Sequence, residues 1–166
     1  MTMKMRRGSG FEEFFSSTKD QLFQAILVVA RDRGTAEDAV SEAYTRALEN
    51  WNKVQGHPAP SAWVAKTAFN YLRSGQRRAS RASVGEVPEV PVSDDPPTDP
   101  QLLFKLLSLP ERQREIVALR VVLGLSTQQT ADLLRIAPGT VTAHLFRALT
   151  RLKEELSEIA PKEAWR

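Results

Sequence analysis

The sequence predicts an all-α protein of two small helical domains joined by an extended linker. Three observations carry that reading. Apolar residues recur at steps of three and four through most of the chain, the spacing of one helix face. Period-two alternation bounded by glycine turns, the mark of a strand, is missing. Residues 82–100 contain Pro88, Pro91, Pro96, Pro97 and Pro100 and show no period at all, as an extended spacer would.

The first helix is expected from Phe11 to about Ala30, with Phe14, Phe15, Leu22, Phe23, Ile26 and Leu27 in its core. Gly34 punctuates. Thr35 then reads as the N-cap of a second helix, with Asp38 three residues on in capping-box position. Ala36, Ala39, Val40, Ala43, Tyr44, Ala47, Leu48 and Trp51 follow the 3.6 period over four turns. A loop is expected over Gly56-His57-Pro58-Ala59-Pro60, and Ser61 reads as the cap of a third helix reaching about Arg78.

Beyond the prolines, Leu102, Leu103, Leu106 and Leu107 line a short helix. Ser108 and Glu111 form a capping box, with Pro110 in the first turn, where its missing N–H costs little. That helix is expected to run to Leu123 and stop at Gly124. Ser126 and Gln129 repeat the capping signature for a helix over Thr127–Leu134. A turn at 135–137 and a longer helix from Pro138 to about Leu156 complete the chain.

The 166 residues carry a net charge of +3, unevenly spread. Residues 1–81 hold 13 Lys/Arg and 8 Asp/Glu, residues 82–100 hold five acids and no base, and residues 101–166 hold 10 and 7. Two basic bodies with an acidic strap between them imply polyanion binding at both ends. There is no cysteine, which excludes disulfides and thiolate chemistry. His57 and His144 are too far apart in sequence for a histidine metal site. The basic start lacks an apolar run behind it, and the longest strictly apolar run is Ala25–Ala30, far short of the roughly 20 residues of a membrane span. A cytoplasmic protein without membrane attachment, cofactor or metal is expected. No glycine-rich phosphate loop or catalytic triad pattern appears, so no enzyme is expected.

Two places carry chemistry. In the C-terminal one, Ala131 lets a following helix cross closely, and that helix turns Val141, Leu145, Ala148, Leu149 and Leu152 inward. This is the pattern of a helix-turn-helix whose second helix enters the major groove of DNA. Its outward face carries Thr140, Ala143, Arg147 and Thr150, flanked by His144 and Arg151. Thr140, Thr142, Ala143, His144 and Arg147 are expected at or near base edges, and Arg151 on phosphate. In the N-terminal place, Lys66, Asn70, Arg73 and Arg77 step by four, three and four residues along one helix stripe, which Arg78 and Arg81 extend. Trp63, Phe69 and Tyr71 are interleaved, rings on which unpaired bases stack, although Trp63 and Tyr71 also fit a core.

These residues resemble a family. Asp38-Ala-Val-Ser-Glu42-Ala-Tyr44, Trp51 and Pro60-Ser-Ala-Trp63-Val-Ala-Lys-Thr-Ala-Phe-Asn70-Tyr-Leu-Arg73, with the arginines behind them, are similar to sigma region 2. Leu109-Pro-Glu-Arg-Gln-Arg-Glu115, Gly124-Leu-Ser126, Gln129-Thr-Ala131 and Pro138-Gly-Thr-Val141 are similar to sigma region 4. Two such regions, 1–81 and 101–166 around the 82–100 linker, resemble the extracytoplasmic-function (ECF) sigma factors of the sigma-70 family.

The resemblance implies core RNA polymerase and promoter DNA as partners. Asp38, Ser41, Glu42, Thr45 and Trp51 would face the clamp helices of the polymerase large subunit. Asn52 and Lys53 in the loop reaching Pro60, with Trp63, Lys66, Asn70, Arg73, Arg77 and Arg78, would melt and hold the −10 element. The Thr140–Arg151 face would read the −35 duplex, and the acidic linker would thread toward the RNA exit path. An anti-sigma factor covering the face from Asp38 to Trp51 is expected. Two departures stand out. Ser41 occupies a position usually held by glutamine, and Thr142-Ala143-His144 replaces a usual Lys-Ser-Arg run. The Thr-Val-Thr-Ala-His-Leu stretch also resembles LuxR-type recognition helices, so a regulator acting without core polymerase is the alternative. A partner-binding adaptor is a second, and the basic stripes argue against it.

Overall fold

A computed structural model describes residues 9–82 and 99–159, with side chains over 10–75 and 99–158. The chain divides into two compact units, residues 1–91 and 92–166. All regular elements among the described residues are helical.

In the first unit, α1 spans Ser9–Ala30, α2 Arg33–Glu49, α3 Trp51–Gln55 and α4 Pro60–Ala82. Helix α2 lies against both α1 and α4. Its inward face is Ala36, Ala39, Ala43 and Ala47, each fully buried. Side chains this small let both neighbours approach closely, since interaxial distance follows residue size. Leu22, Ala25, Ile26, Val28 and Val29 close the core from α1, and Val64, Ala65, Ala68, Phe69 and Leu72 from α4. Phe14, Phe15, Phe23 and Leu27, expected in that core, are only partly buried. Leu48 is 49% exposed, beyond the buried stripe that the four alanines and Tyr44 turn to the neighbouring helices.

The cap of α2 is Asp32, not Thr35. One carboxylate oxygen of Asp32 accepts from the Thr35 backbone N–H at 2.7 Å and from the Thr35 hydroxyl at 2.6 Å. The helix therefore starts two residues ahead of Thr35, and Gly34 lies inside it. Both bonds favour the ionised form, led by the side-chain one, and hold this carboxyl below its ordinary value of 3.8. Helix α4 likewise starts at Pro60, ahead of the expected Ser61 cap; the fixed φ of proline suits a first helical position. The short α3 has no strong sequence signal, and the Asn50 carbonyl joins it to the end of α2 by accepting from Lys53 and Val54.

In the second unit, α5 spans Pro100–Leu107, α6 Glu111–Val117, α7 Thr127–Leu134 and α8 Pro138–Ile159. Asp99 caps α5 by accepting from the Gln101 N–H at 2.9 Å. Ser108, expected to cap α6, instead gives its hydroxyl to the Lys105 carbonyl at 2.7 Å and closes α5. The backbone ahead of α6 is extended at Pro110, with no side-chain cap. Beyond Val117 the helix widens into a π-helical turn over Ala118–Val122. Gly124, at φ 68°, then reverses the chain. Arg120 donates to the Leu125 carbonyl across this bend.

Ser126 and Gln129 form the expected reciprocal capping box, at 3.0 and 2.8 Å. Ala131 is buried where α7 meets α8. Arg135 takes the left-handed conformation at φ 56° in the intervening turn. Val141, Ala148 and Leu152 face the core together with Ile116, Leu119, Leu133 and Leu134. Leu149, expected inward, is 44% exposed, and Leu145 is partly buried. Position 149 lies roughly 80° around the helix from Val141, at the margin of the buried stripe.

The linker expectation falls on 83–98, outside the described residues. At its ends, Ala82 closes α4, and Asp99 and Pro100 open α5. No helix among the described residues is long and apolar enough to cross a membrane.

Candidate nucleic-acid interface

Helix α8 separates a buried stripe from a face turned to solvent. Thr140, Thr142, Ala143, Arg147, Thr150 and Arg151 are exposed, and His144 is partly buried. Thr140, Ala143, Arg147 and Thr150 recur at steps of three and four, a continuous ridge nearly three turns long. Within it, Arg147 has no acidic partner among the described residues. Arg151 is held: its Nε lies 3.0 Å from Glu155, whose other oxygen lies 3.6 Å from Lys105 Nζ. The Arg151 hydrogen bond chiefly, and then the charges of Lys105 and Arg151, keep the Glu155 carboxyl below its ordinary value. This link also joins α8 to α5.

In the first unit, Lys66 and Asn70 are exposed on α4 and Arg73 is partly so. Trp63 lies on the same side, three residues before Lys66, and is partly buried. Opposite them sit the buried Val64, Ala68, Phe69 and Leu72. Phe69, offered as a base-stacking ring, is 1% exposed and belongs to the core; its position falls on the inward stripe of α4. Arg77 and Arg78 lie on α4, with side chains outside the described residues.

The loop before α4 follows a buried residue and is closed by a bond of its own. Val54 is fully buried, and His57 Nδ1 accepts from the Ala59 N–H at 2.9 Å. Asn52 and Lys53 are left exposed on α3. Trp51 packs between Phe11 and Phe14, with ring centroids 5.5 Å from each. Phe15 meets Tyr44 edge-on at 4.8 Å. Thr18 gives its proton to the Phe14 carbonyl, so Tyr44 donates to Thr18 at 2.7 Å. Burial pushes the Tyr44 phenol up. Phe11, Phe14, Phe15, Tyr44 and Trp51 form one aromatic cluster that fixes α3, and with it Asn52 and Lys53, to α1. Its members were visible in the sequence, but nothing in their spacing joined residue 11 to residue 51.

Asp38, Ser41, Thr45 and Leu48 form an exposed ridge along α2 at steps of three and four. Glu42 is partly buried and paired with Arg46 at 2.6 Å. The exposed Leu48 belongs to this ridge and was missed, because apolar spacing alone placed it inward. In the second unit, Phe104 and Phe146 are 70% and 72% exposed; Phe146, three residues after Ala143 and four before Thr150, borders the ridge, and Leu149 lies further round the helix.

Residues 14–82 match the family model described as Sigma-70 region 2, and residues 101–152 match Sigma-70, region 4. The chain is 30% identical over 151 residues to the RNA polymerase sigma-E factor of Streptomyces coelicolor, covering 88% of this chain and 85% of that one. It is 38% identical over 138 residues to the ECF RNA polymerase sigma factor ShbA of Streptomyces griseus, covering 73% and 71%. Among solved structures, it resembles the sigma factor RpoE of Bartonella quintana, there in complex with the anti-sigma factor NepR. The TM-score is 0.73 at 22% identity, over 89% of this chain and 97% of that one.

Proposed function

The chain belongs to the ECF sigma factors of the sigma-70 family, which are initiation factors and not enzymes, and on that premise we propose how its surfaces divide the work of promoter recognition. The ridge Asp38, Ser41, Thr45 and Leu48, with Glu42 beside it, binds the clamp helices of core RNA polymerase. Trp51 acts by holding α3 in place. Asn52, Lys53, Trp63, Lys66, Asn70 and Arg73, continued by Arg77 and Arg78, open the −10 element and hold its non-template strand. Stacking and phosphate contacts offset the cost of unpairing. The ridge Thr140, Ala143, Arg147 with Thr142 and His144 reads the −35 duplex, and Arg151 contacts phosphate.

The observation that carries this reading is the stripe on α4. Lys66 and Asn70 stand in solvent, with Arg73 partly exposed, on the same side as a partly buried tryptophan, directly behind a loop that follows the buried Val54. An acidic linker and an anti-sigma factor that covers α2 when the factor is off complete the proposal. A regulator acting without polymerase is not favoured, because it leaves the region 2 match without a role.

Replacing Asn70 and Arg73 together with alanine separates the roles. Permanganate reactivity of unpaired thymines at the start site should fall at least about ten-fold, the scale of one or two lost base contacts. Association with core polymerase should hold. Equal loss of both would contradict the assignment.

A further inference from the structure

Resting on the reading that α8 faces promoter duplex, we propose that this chain recognises its upstream element through thymine C5-methyl groups, with Arg147 adding a contact to guanine. A helix-turn-helix leads with the N-terminal half of its second helix. In α8 that half presents Thr140, Thr142, Ala143 and Arg147 to solvent.

The chemistry of these groups is narrow. Ala143 offers a methyl and nothing else. The Thr142 hydroxyl donates to the Pro138 carbonyl at 3.2 Å, which leaves its methyl for outward contact. Thr140 carries a methyl and a hydroxyl with no side-chain hydrogen bond among the described residues. His144 is partly buried, and its Nδ1 is enclosed without a hydrogen-bond partner. It therefore has one ring nitrogen to offer and cannot grip a base edge with two. Arg151 is tied to Glu155 one turn further along, where phosphate rather than a base edge is in reach.

Arg147 thus supplies the strong hydrogen-bonding grip of this half-helix, and the groups leading into the groove are methyls. In the major groove, alanine and threonine methyls match the thymine C5-methyl, and arginine matches guanine O6 and N7. The upstream element should contain two or more thymines next to a guanine. Each methyl contact carries about a four-fold effect, the equivalent of one buried carbon.

The test uses holoenzyme assembled from the full chain and core polymerase. Promoter fragments are first selected by run-off transcription from a pool with a randomised upstream block. Each thymine of the selected block is then replaced by deoxyuridine, which keeps pairing and O4 and lacks only the methyl. Two or more positions should each lose about four-fold in initiation. Ala143→Ser should remove the deoxyuridine penalty at one of them, an effect that general misfolding would not produce. Arg147→Ala should relax selection at a guanine and leave the deoxyuridine penalties in place. Upstream-dependent initiation that is indifferent to every deoxyuridine would overturn the methyl reading and leave the sigma function standing. Initiation that never depends on the upstream block would overturn the assignment of α8 to duplex as well.

Discussion

Thr130 is fully buried against the core of the helix-turn-helix, and its hydroxyl has no hydrogen-bond partner. A buried hydroxyl without a partner costs about 1–3 kcal/mol, and a methyl of similar shape does not. Thr130→Val should therefore stabilise the second unit by about 1 kcal/mol and raise its melting temperature by about 4–8 °C; a lower midpoint would show that the hydroxyl is bonded. Asp32 makes the opposite case. Its carboxylate caps α2, worth about 1 kcal/mol, and its folded pKa lies below the ordinary 3.8. A depressed carboxyl stabilises fully above that value, and the contribution is lost as pH falls through the folded one. The gap in denaturation free energy between wild type and Asp32→Ala should be about 1 kcal/mol near pH 7 and shrink as the pH falls below the ordinary carboxyl value of 3.8. A gap that stays constant would remove the ionised cap. At this scale the sequence misled where several cap residues stood within three positions. Asp32 and Thr35 are both capping residue types, and the Thr35 backbone N–H bound to the Asp32 carboxylate decides between them.

At the scale of the helix, period was a good guide to existence and a weaker one to rotation. The capping box at Ser126 and the span Thr127–Leu134 were legible because capping chemistry and apolar period agreed there. The π-helical turn over Ala118–Val122 was not, since widening by one residue per turn leaves the apolar pattern continuous through Leu119 and Leu123. Leu48 and Leu149 illustrate the loss in rotation. Each fits an apolar repeat, yet neighbouring helices cover only part of the circumference, and both stand at a margin. For Leu48 that margin coincides with Ser41 and Thr45, on the ridge assigned to polymerase. Leu48→Glu should weaken association with core polymerase about ten-fold, the typical cost of an apolar anchor at an interface. The thermal melt should change little, because little core is lost. Unchanged association would take Leu48 out of the interface.

For the whole molecule, the two-body organisation was visible in charge and proline content before any geometry. The aromatic cluster binding α1 to α3 was not, because it depends on contacts between residues some forty positions apart. The seventeen residues 83–99 between α4 and α5, at about 3.3 Å each, reach roughly 56 Å, close to the length of about 16–17 base pairs at 3.4 Å per step. Removing six residues shortens the reach to about 36 Å and should abolish initiation at promoters with both elements. Full activity would show that the spacing is not set by the linker.

The most direct test is run-off transcription with the purified chain, core RNA polymerase and a fragmented genomic library. Discrete start sites should appear only when chain and polymerase are both present, and they should share an upstream and a downstream element. Absence of such sites, with the chain alone retaining discrete duplex fragments on a filter, would contradict the account and leave a regulator that needs no polymerase.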